Sequence, residues 1–109
     1  MSTELAATLD AACRSFAARA AVRDSHESLT YAELSARAQS VARDLSAARA
    51  APEEPVIVVV GNRAGDFAAF LGIWRAGCVA VPSHRTAPQA VLAGLTDRTG
   101  ARFVVDCGA

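Results

Sequence analysis

Residues 55–65 read PVIVVVGNRAG. The unbroken β-branched run at residues 56–60 is typical of a central parallel strand that is covered on both faces. The glycine-flanked turn that follows leads into an apolar segment, which predicts a helix ended by Gly77. We expect the core-facing side of this helix to carry Phe67, Phe70, Leu71 and Trp74. The segment therefore predicts a strand–turn–helix unit of an α/β protein.

Two more strands and a second helix are predicted downstream. Residues 78–81, ended by Pro82, form the next strand, and residues 103–105 form the last one. Between them, the TAPQ sequence at residues 86–89 has the spacing of a capping box, which predicts a helix. The residues expected on its buried face are Val91, Leu92 and Leu95. Because such crossovers are right-handed, the order predicts a three-stranded parallel βαβαβ sheet flanked by helices.

The N-terminal half predicts two helices and a small hairpin. Helical spacing covers residues 4–20, and residues 22–24 and 28–30 are the arms of the hairpin. The TYAE sequence at residues 30–33 is a capping box, which begins a helix that ends near residue 50. We expect both helices to cover one face of the sheet. Three strands leave at least one sheet edge open, so the single domain of residues 1–109 is a partial subdomain of a larger fold or pairs with another chain.

Composition excludes several classes of function. Eleven basic residues balance eleven acidic ones, so nucleic acid and anionic membranes are not expected as partners. All basic residues are arginine, and the lack of lysine excludes Schiff-base chemistry and a Walker-type phosphate site. The three cysteines are widely spaced, which argues against structural zinc and a disulfide framework. Neither a signal peptide nor a membrane span is visible, and we expect a cytoplasmic protein.

His84 and Arg85 are the candidate substrate-binding residues. They follow the second predicted strand, at the end where ligands bind in open α/β sheets. We expect Arg85 to pair with a phosphate or carboxylate and His84 to contribute a hydrogen bond; the alternative is a solvated loop before a capped helix. The loop at residues 61–65 matches no phosphate-binding pattern, and Asp66 would repel a phosphate, so a structural turn is expected there. No catalytic residue and no metal ligand is predicted.

Three segments resemble a known family. LTYAEL at residues 29–34 resembles the Leu-Thr-Tyr-x-Glu-Leu signature near the start of the adenylate-forming (AMP-binding) enzymes. IWRAGCVAVP at residues 73–82 is similar to their Lys-Ala-Gly-x-x-x-x-Pro segment, and GARFVV at residues 100–105 resembles their Gly-Ala-Arg strand. The chain thus resembles the N-terminal portion of a superfamily that includes acyl- and aryl-CoA synthetases, luciferases and peptide-synthetase adenylation domains.

The resemblance implies ATP-dependent activation of a carboxylic acid and transfer of the acyl group to a thiol, with ATP, Mg and CoA serving the parent enzyme. The family's phosphate loop, metal-binding acid, ribose-binding aspartate and catalytic lysine have no counterpart here. The chain alone is therefore expected to be inactive and to bind none of these groups tightly. Peptide-synthetase members continue after the proline with an apolar residue and Asp-Pro, whereas residues 83–88 read SHRTAP, which favours an acyl- or aryl-CoA ligase parent.

Other functions stay open at this point. A free-standing module with the same fold would use its open sheet edge to bind a partner or a second copy of itself. A peptide-synthetase adenylation fragment and a small flavodoxin-like nucleotide-binding enzyme are the remaining alternatives. In the favoured interpretation, the open edge binds the remainder of the ligase.

Overall fold

A computed structural model describes residues 3–108 of the chain. Its helices and strands follow the predicted order, with a hairpin between the first two helices and a β–α–β–α–β segment after them. The elements are α1 (Thr3–Ser15), β1 (Ala20–Arg23), β2 (Ser28–Thr30), α2 (Tyr31–Ala47), β3 (Pro55–Val60), α3 (Gly65–Arg75), β4 (Val79–His84), α4 (Gln89–Thr99) and β5 (Phe103–Val105). No helix within residues 3–108 has both the length and the apolar character needed to cross a membrane.

The main sheet has three parallel strands in the order β4-β3-β5. Val58 at its centre pairs with Pro82 on one side and with Val105 on the other. The hairpin of β1 and β2 is antiparallel and forms a separate sheet. The predicted α/β architecture, with its three-stranded parallel sheet and small hairpin, is therefore confirmed.

One face of β3 packs against α2 and α3. Val56 and Val58 are fully buried there. The helical residues in this cluster are Val41, Leu45, Ala69 and Ile73. Cys13 of α1 belongs to a second cluster, formed with residues of α2 and α3. The expectation that both N-terminal helices cover the sheet is thus wrong for α1, which packs on the outer side of α2 and α3.

Helices α2 and α3 approach each other closely at Gly72. A Cβ atom at this position would lie 2.5 Å from the Cβ of Val41 and 2.6 Å from the carbonyl oxygen of Ala38. Such distances are too short for any side chain, so glycine permits the contact between the two backbones.

Helix α1 ends at Ser15, earlier than the predicted boundary near residue 20. The segment after it turns back toward α2. The carbonyl groups of Ala17 and Arg19 accept hydrogen bonds from the backbone N–H groups of Ala32 and Tyr31. These donors lie in the first turn of α2, where a helix leaves its N–H groups unpaired. Residues 17–19 thus pair with the start of α2 and do not extend α1.

Strand β4 continues through Pro82 to His84, whereas Pro82 was expected to end it. Arg85 donates its N–H to the carbonyl of Val60. Because alternate residues of a strand face the same neighbour, the nitrogen of Pro82 faces the open edge, where it needs no partner. The strand therefore tolerates proline without losing a ladder hydrogen bond.

Helix α4 begins at Gln89 without the predicted capping box. Its N-cap is Pro88, and no side chain caps it. The hydroxyl oxygen of Thr86, the expected cap, lies 2.7 Å from Nδ1 of His84 instead. The predicted burial is also wrong, since no residue of α4 is buried and Val91 is 47% exposed.

The burial of α3 also differs from the prediction. The residues buried on this helix are mainly small: Gly65, Asp66, Ala68, Ala69, Leu71, Gly72 and Ile73. Phe67, expected in the core, is 59% exposed, and Phe70 and Trp74 are half-buried. Leu71 is buried as predicted, and Phe70 packs against the core cluster beside β3, so the prediction is wrong for Phe67.

Candidate functional site

A cavity of 340 Å³ lies at the carboxyl ends of β3 and β4. Val60 lines it from β3, Gly61 from the loop that follows, and His84 from β4. The hairpin contributes residues 22–24, and the start of α3 supplies the remaining wall. Its volume falls within the range of about 300–1,000 Å³ that is typical of small-molecule sites.

The topology of the sheet favours this position for a ligand. Strand β3 leads into α3 and β4 leads into α4, while β4 and β5 flank β3 on opposite sides. With right-handed crossovers, α3 and α4 lie on opposite faces of the sheet. The gap between the carboxyl ends of β3 and β4 is therefore a topological switch point, where open α/β sheets bind their ligands.

The loop between β3 and α3 is closed by carboxylates of the protein itself. Oδ2 of Asp66 accepts hydrogen bonds from the N–H groups of Gly61 and Arg63, each at 3.0 Å. Oδ2 of Asp24 accepts one from the N–H of Ala64 at 2.6 Å. A bound phosphate would need these same N–H groups, so the predicted structural turn is confirmed.

Asp24 is a residue of the site that the sequence analysis missed. Its Oδ1 accepts hydrogen bonds from the N–H groups of His26 and Glu27, at 2.6 and 2.8 Å. The hydrogen bonds from Ala64, His26 and Glu27 lower the pKa of Asp24 to about 2. The polar sequence at residues 24–27 signals the local Asx turn, but nothing in it signals the contact with Ala64, 40 residues away.

His84 is the last residue of β4 and lines the cavity. The backbone N–H of Thr86 donates to Nδ1 of its ring at 3.2 Å. Since Nδ1 acts as an acceptor, the proton of the neutral ring resides on Nε2. Nε2 is then the ring nitrogen that remains for a ligand.

Arg85 directs its charge to the end of β5 rather than into the cavity. Its guanidinium pairs with both carboxylate oxygens of Asp106, at 3.0 and 2.5 Å. The side-chain hydrogen bond with Asp106 raises the pKa of Arg85. The arginine also crosses Gly61, where an added Cβ would meet its Nε at 3.3 Å. The structure thus brings His84, but not the Arg85 guanidinium, to the cavity, and ligand binding by either residue stays a prediction.

Other cavity residues were not identified from the sequence as candidates. Arg23, Asn62 and Arg63 contribute polar groups to its wall, and Phe67 and Phe70 contribute rings. Their positions depend on how the hairpin packs beside α3, which local sequence patterns do not reveal. Across the part of the chain that the structure describes, no group of three or more His, Cys, Asp or Glu residues is arranged to hold a metal ion.

Comparison with known proteins identifies the family. The family model for AMP-binding enzymes matches residues 9–108. The chain therefore belongs to the AMP-binding enzyme family, as the three sequence motifs predicted.

Individual relatives are much longer than this chain. It is 38% identical over 85 residues to the aldehyde reductase lnaA of Aspergillus flavus, covering 78% of this chain and 8% of that protein. It is 34% identical over 85 residues to the AMB antimetabolite synthetase AmbE of Pseudomonas aeruginosa, covering 78% of this chain and 4% of that protein. The solved nonribosomal peptide synthetase FmoA3, bound to alpha-methyl-L-serine-AMP, superposes with a TM-score of 0.89 and 29% identity, covering 94% of this chain and 12% of FmoA3.

Family membership implies the use of ATP, yet the loop after β3 does not fit a triphosphate. Its N–H groups donate to Asp24 and Asp66, and the two carboxylates would repel a phosphate. Residues 61–66 therefore form a turn whose N–H groups at Gly61, Arg63 and Ala64 are already paired within the chain.

Proposed function

We propose that this chain is the N-terminal framework of an enzyme that activates a carboxylic acid with ATP and then transfers the acyl group to a thiol. The match of the AMP-binding family across residues 9–108 carries this proposal. In it, the chain supplies a parallel sheet and its helices, and the parts that bind nucleotide lie in other segments of the parent enzyme. The isolated chain is inactive for that reason.

The two edges of the sheet are the surfaces that such a parent would use. Strands β4 and β5 each have a neighbour on one side only. Val104 of β5 is 55% exposed and Val91 of α4 is 47% exposed, so both elements present an apolar side chain to solvent. In the proposal this region contacts the rest of the ligase, and a second copy of the chain is the alternative partner.

The thiol acceptor has two candidates. The SHRTAP sequence at residues 83–88 favours CoA, because the peptide-synthetase members have an apolar residue and Asp-Pro at this place. The name of FmoA3, a nonribosomal peptide synthetase, instead favours the thiol of a carrier protein. A thioester assay on the longer polypeptide that contains this chain, with CoA and carrier protein offered separately, distinguishes the two.

A domain-exchange experiment tests the proposed function. Residues 9–108 would replace the matched stretch of the FmoA3 adenylation domain, and ATP–pyrophosphate exchange dependent on the acid would be measured. We expect the chimaera to keep exchange activity, while the isolated chain releases no pyrophosphate from ATP with any carboxylic acid. A folded chimaera without activity, or turnover by the isolated chain, would contradict the proposal.

A further inference from the structure

A row of aromatic side chains on α3 lies outside the core. Phe67, Phe70 and Trp74 follow one another at intervals of three and four residues, so they share one face of the helix. Phe67 is 59% exposed, and Phe70 and Trp74 are half-buried. With a rise of about 1.5 Å per residue, this aromatic row extends over about 10 Å, or two helical turns. Exposed apolar side chains in a contiguous patch indicate an interaction surface.

Helix α1 makes the aromatic row one wall of a groove. A cavity of 300 Å³ lies between Leu9 of α1 and the row, and buried Leu34 and Leu71 also line it, so its walls are entirely apolar. The cavity at the carboxyl ends of β3 and β4 adjoins it, because Phe67 and Phe70 line both cavities. The groove thus has two hollows with a ridge of two rings between them. Helices pack by fitting their side chains into such hollows.

The end of the groove beside the hairpin carries positive charge. Arg23 and Arg63 line this end, and neither forms an ion pair within residues 3–108. The carboxylates of Asp24 and Asp66 are buried beneath the surface and accept hydrogen bonds from backbone N–H groups. Because the arginines are the more exposed charges here, this end of the groove is complementary to a carboxylate on a partner.

We propose that the groove binds an amphipathic helical segment of a partner protein. Its leucine-like side chains occupy the two hollows, and an acidic residue lies at the end that Arg23 and Arg63 line. Apolar residues at positions i, i+3 and i+7 of such a segment match the aromatic row in length, as in other helix-in-groove complexes. The ridge between the hollows favours separate side chains over one continuous alkyl chain. The groove takes no part in the adenylation chemistry of the proposed function, so the two proposals can fail independently.

The first test uses a blocked peptide of about 14 residues, a length at which an isolated helix begins to form. It has leucine at positions i, i+3 and i+7 and two glutamates in its first turn. Binding to the 109-residue chain is followed by the fluorescence of Trp74, the only tryptophan, which lines the groove. We expect a saturable change in its emission.

Two altered peptides separate the apolar and the charged contributions. Serine in place of the central leucine should weaken binding by about tenfold or more, because one apolar side chain is no longer buried. Glutamine in place of both glutamates should weaken it by about fivefold, since exposed ion pairs contribute modestly.

Two pairs of variants locate the peptide on the protein. Phe67→Ala should weaken all three peptides, whereas Val104→Ala, a matched truncation of an exposed residue on β5, should change none. Arg63→Gln keeps the aliphatic stem and should remove the preference for glutamate. Arg98→Gln on α4, which does not line the groove, should retain that preference.

Several results would overturn the proposal. Equal binding of the glutamate and glutamine peptides would remove the role of the arginines, and unchanged affinity in Phe67→Ala would place the peptide elsewhere. No saturable binding of the glutamate peptide would exclude a helical partner of this kind. Tighter binding of decanoate, an alkyl carboxylate, than of the peptide would assign the groove to a small amphipathic anion instead.

Discussion

The carboxylate of Asp24 accepts a hydrogen bond from the backbone N–H of Ala64 at 2.6 Å, across 40 residues of sequence. This contact ties the hairpin to the turn that begins α3. Asp66 closes the same turn from within α3 by accepting the N–H groups of Gly61 and Arg63. The two carboxylates thus occupy the donors that would make this turn an anion site for a ligand.

We expect this arrangement to make stability dependent on acidic pH. The backbone hydrogen bonds of Asp24 lower its pKa from 3.8 to about 2. A carboxylate with a lowered pKa in the folded state contributes stability above its unfolded pKa and loses it as the pH falls through the folded pKa. The free energy of unfolding should therefore decrease between pH 3.8 and about 2.

Urea denaturation at a series of pH values checks this prediction. Asp24→Asn should be less stable than wild type at neutral pH and should show a shallower decrease in acid. Ser25→Ala, in the same turn, serves as the control. It removes a hydroxyl whose hydrogen bond is to the side chain of His26. Identical acid profiles for wild type and Asp24→Asn would disprove the role of this carboxylate.

Gly72→Ala should destabilise the fold by about 1–3 kcal/mol, the usual cost of overpacking a core. The added methyl would meet Val41 and Ala38 at 2.5–2.6 Å, which forces α2 and α3 apart. Gly94→Ala in α4 is the matched control, because its Cβ would meet only the end of the Arg98 side chain, at 3.4 Å. Alanine there should be neutral or stabilising by up to about 1 kcal/mol. Chemical denaturation measures both changes, and equal effects would contradict the packing of the helices.

Arg75 connects all three helices that pack together on one side of the sheet. Its guanidinium pairs with Asp10 of α1 and donates to the carbonyl oxygen and the hydroxyl of Ser35 in α2. Arg75→Met should reduce stability by about 2–3 kcal/mol, below the usual loss for a fully buried pair, since Asp10 is partly exposed. Arg75→Lys should restore only part of the loss, because an ammonium group lacks the planar fork of donors. Full restoration by lysine would show that only the charge matters.

The two capping boxes predicted from the sequence provide a paired test. Thr30 caps α2 with reciprocal hydrogen bonds to Glu33, so Thr30→Ala should cost about 1 kcal/mol. Thr86 caps no helix, and Thr86→Ala should change stability by less than about 0.5 kcal/mol. Thermal unfolding of the two variants measures the difference. A larger loss for Thr86→Ala would restore the capping role that its sequence pattern predicts.

Local patterns predicted the sheet and the second helix well. The β-branched run of β3 favours a buried central strand, and the capping box of Thr30 is satisfied within its own four residues. The failures concern partners that are distant in sequence. Thr86 has the same local pattern as Thr30, but its hydroxyl contacts His84 instead.

The candidate site was only partly predictable for the same reason. The position of His84 follows from the rule that ligands bind at the carboxyl ends of parallel strands. The pairing of Arg85 with Asp106 depends on a residue that lies 21 positions further along the chain, just after β5. The exposure of Phe67 depends on which face of α3 the other elements cover. Neither relationship leaves a signal in the neighbouring sequence.

The turn after β3 pairs its N–H groups with carboxylates of the protein itself, and we expect it to bind no nucleotide. Titration of the ¹⁵N-labelled chain with Mg-ATP, followed by amide NMR at Gly61, Arg63 and Ala64, tests this expectation. These three signals should stay unchanged as nucleotide is added. Saturable shifts at all three would mean that phosphate displaces Asp24 and Asp66, and the claim would be wrong.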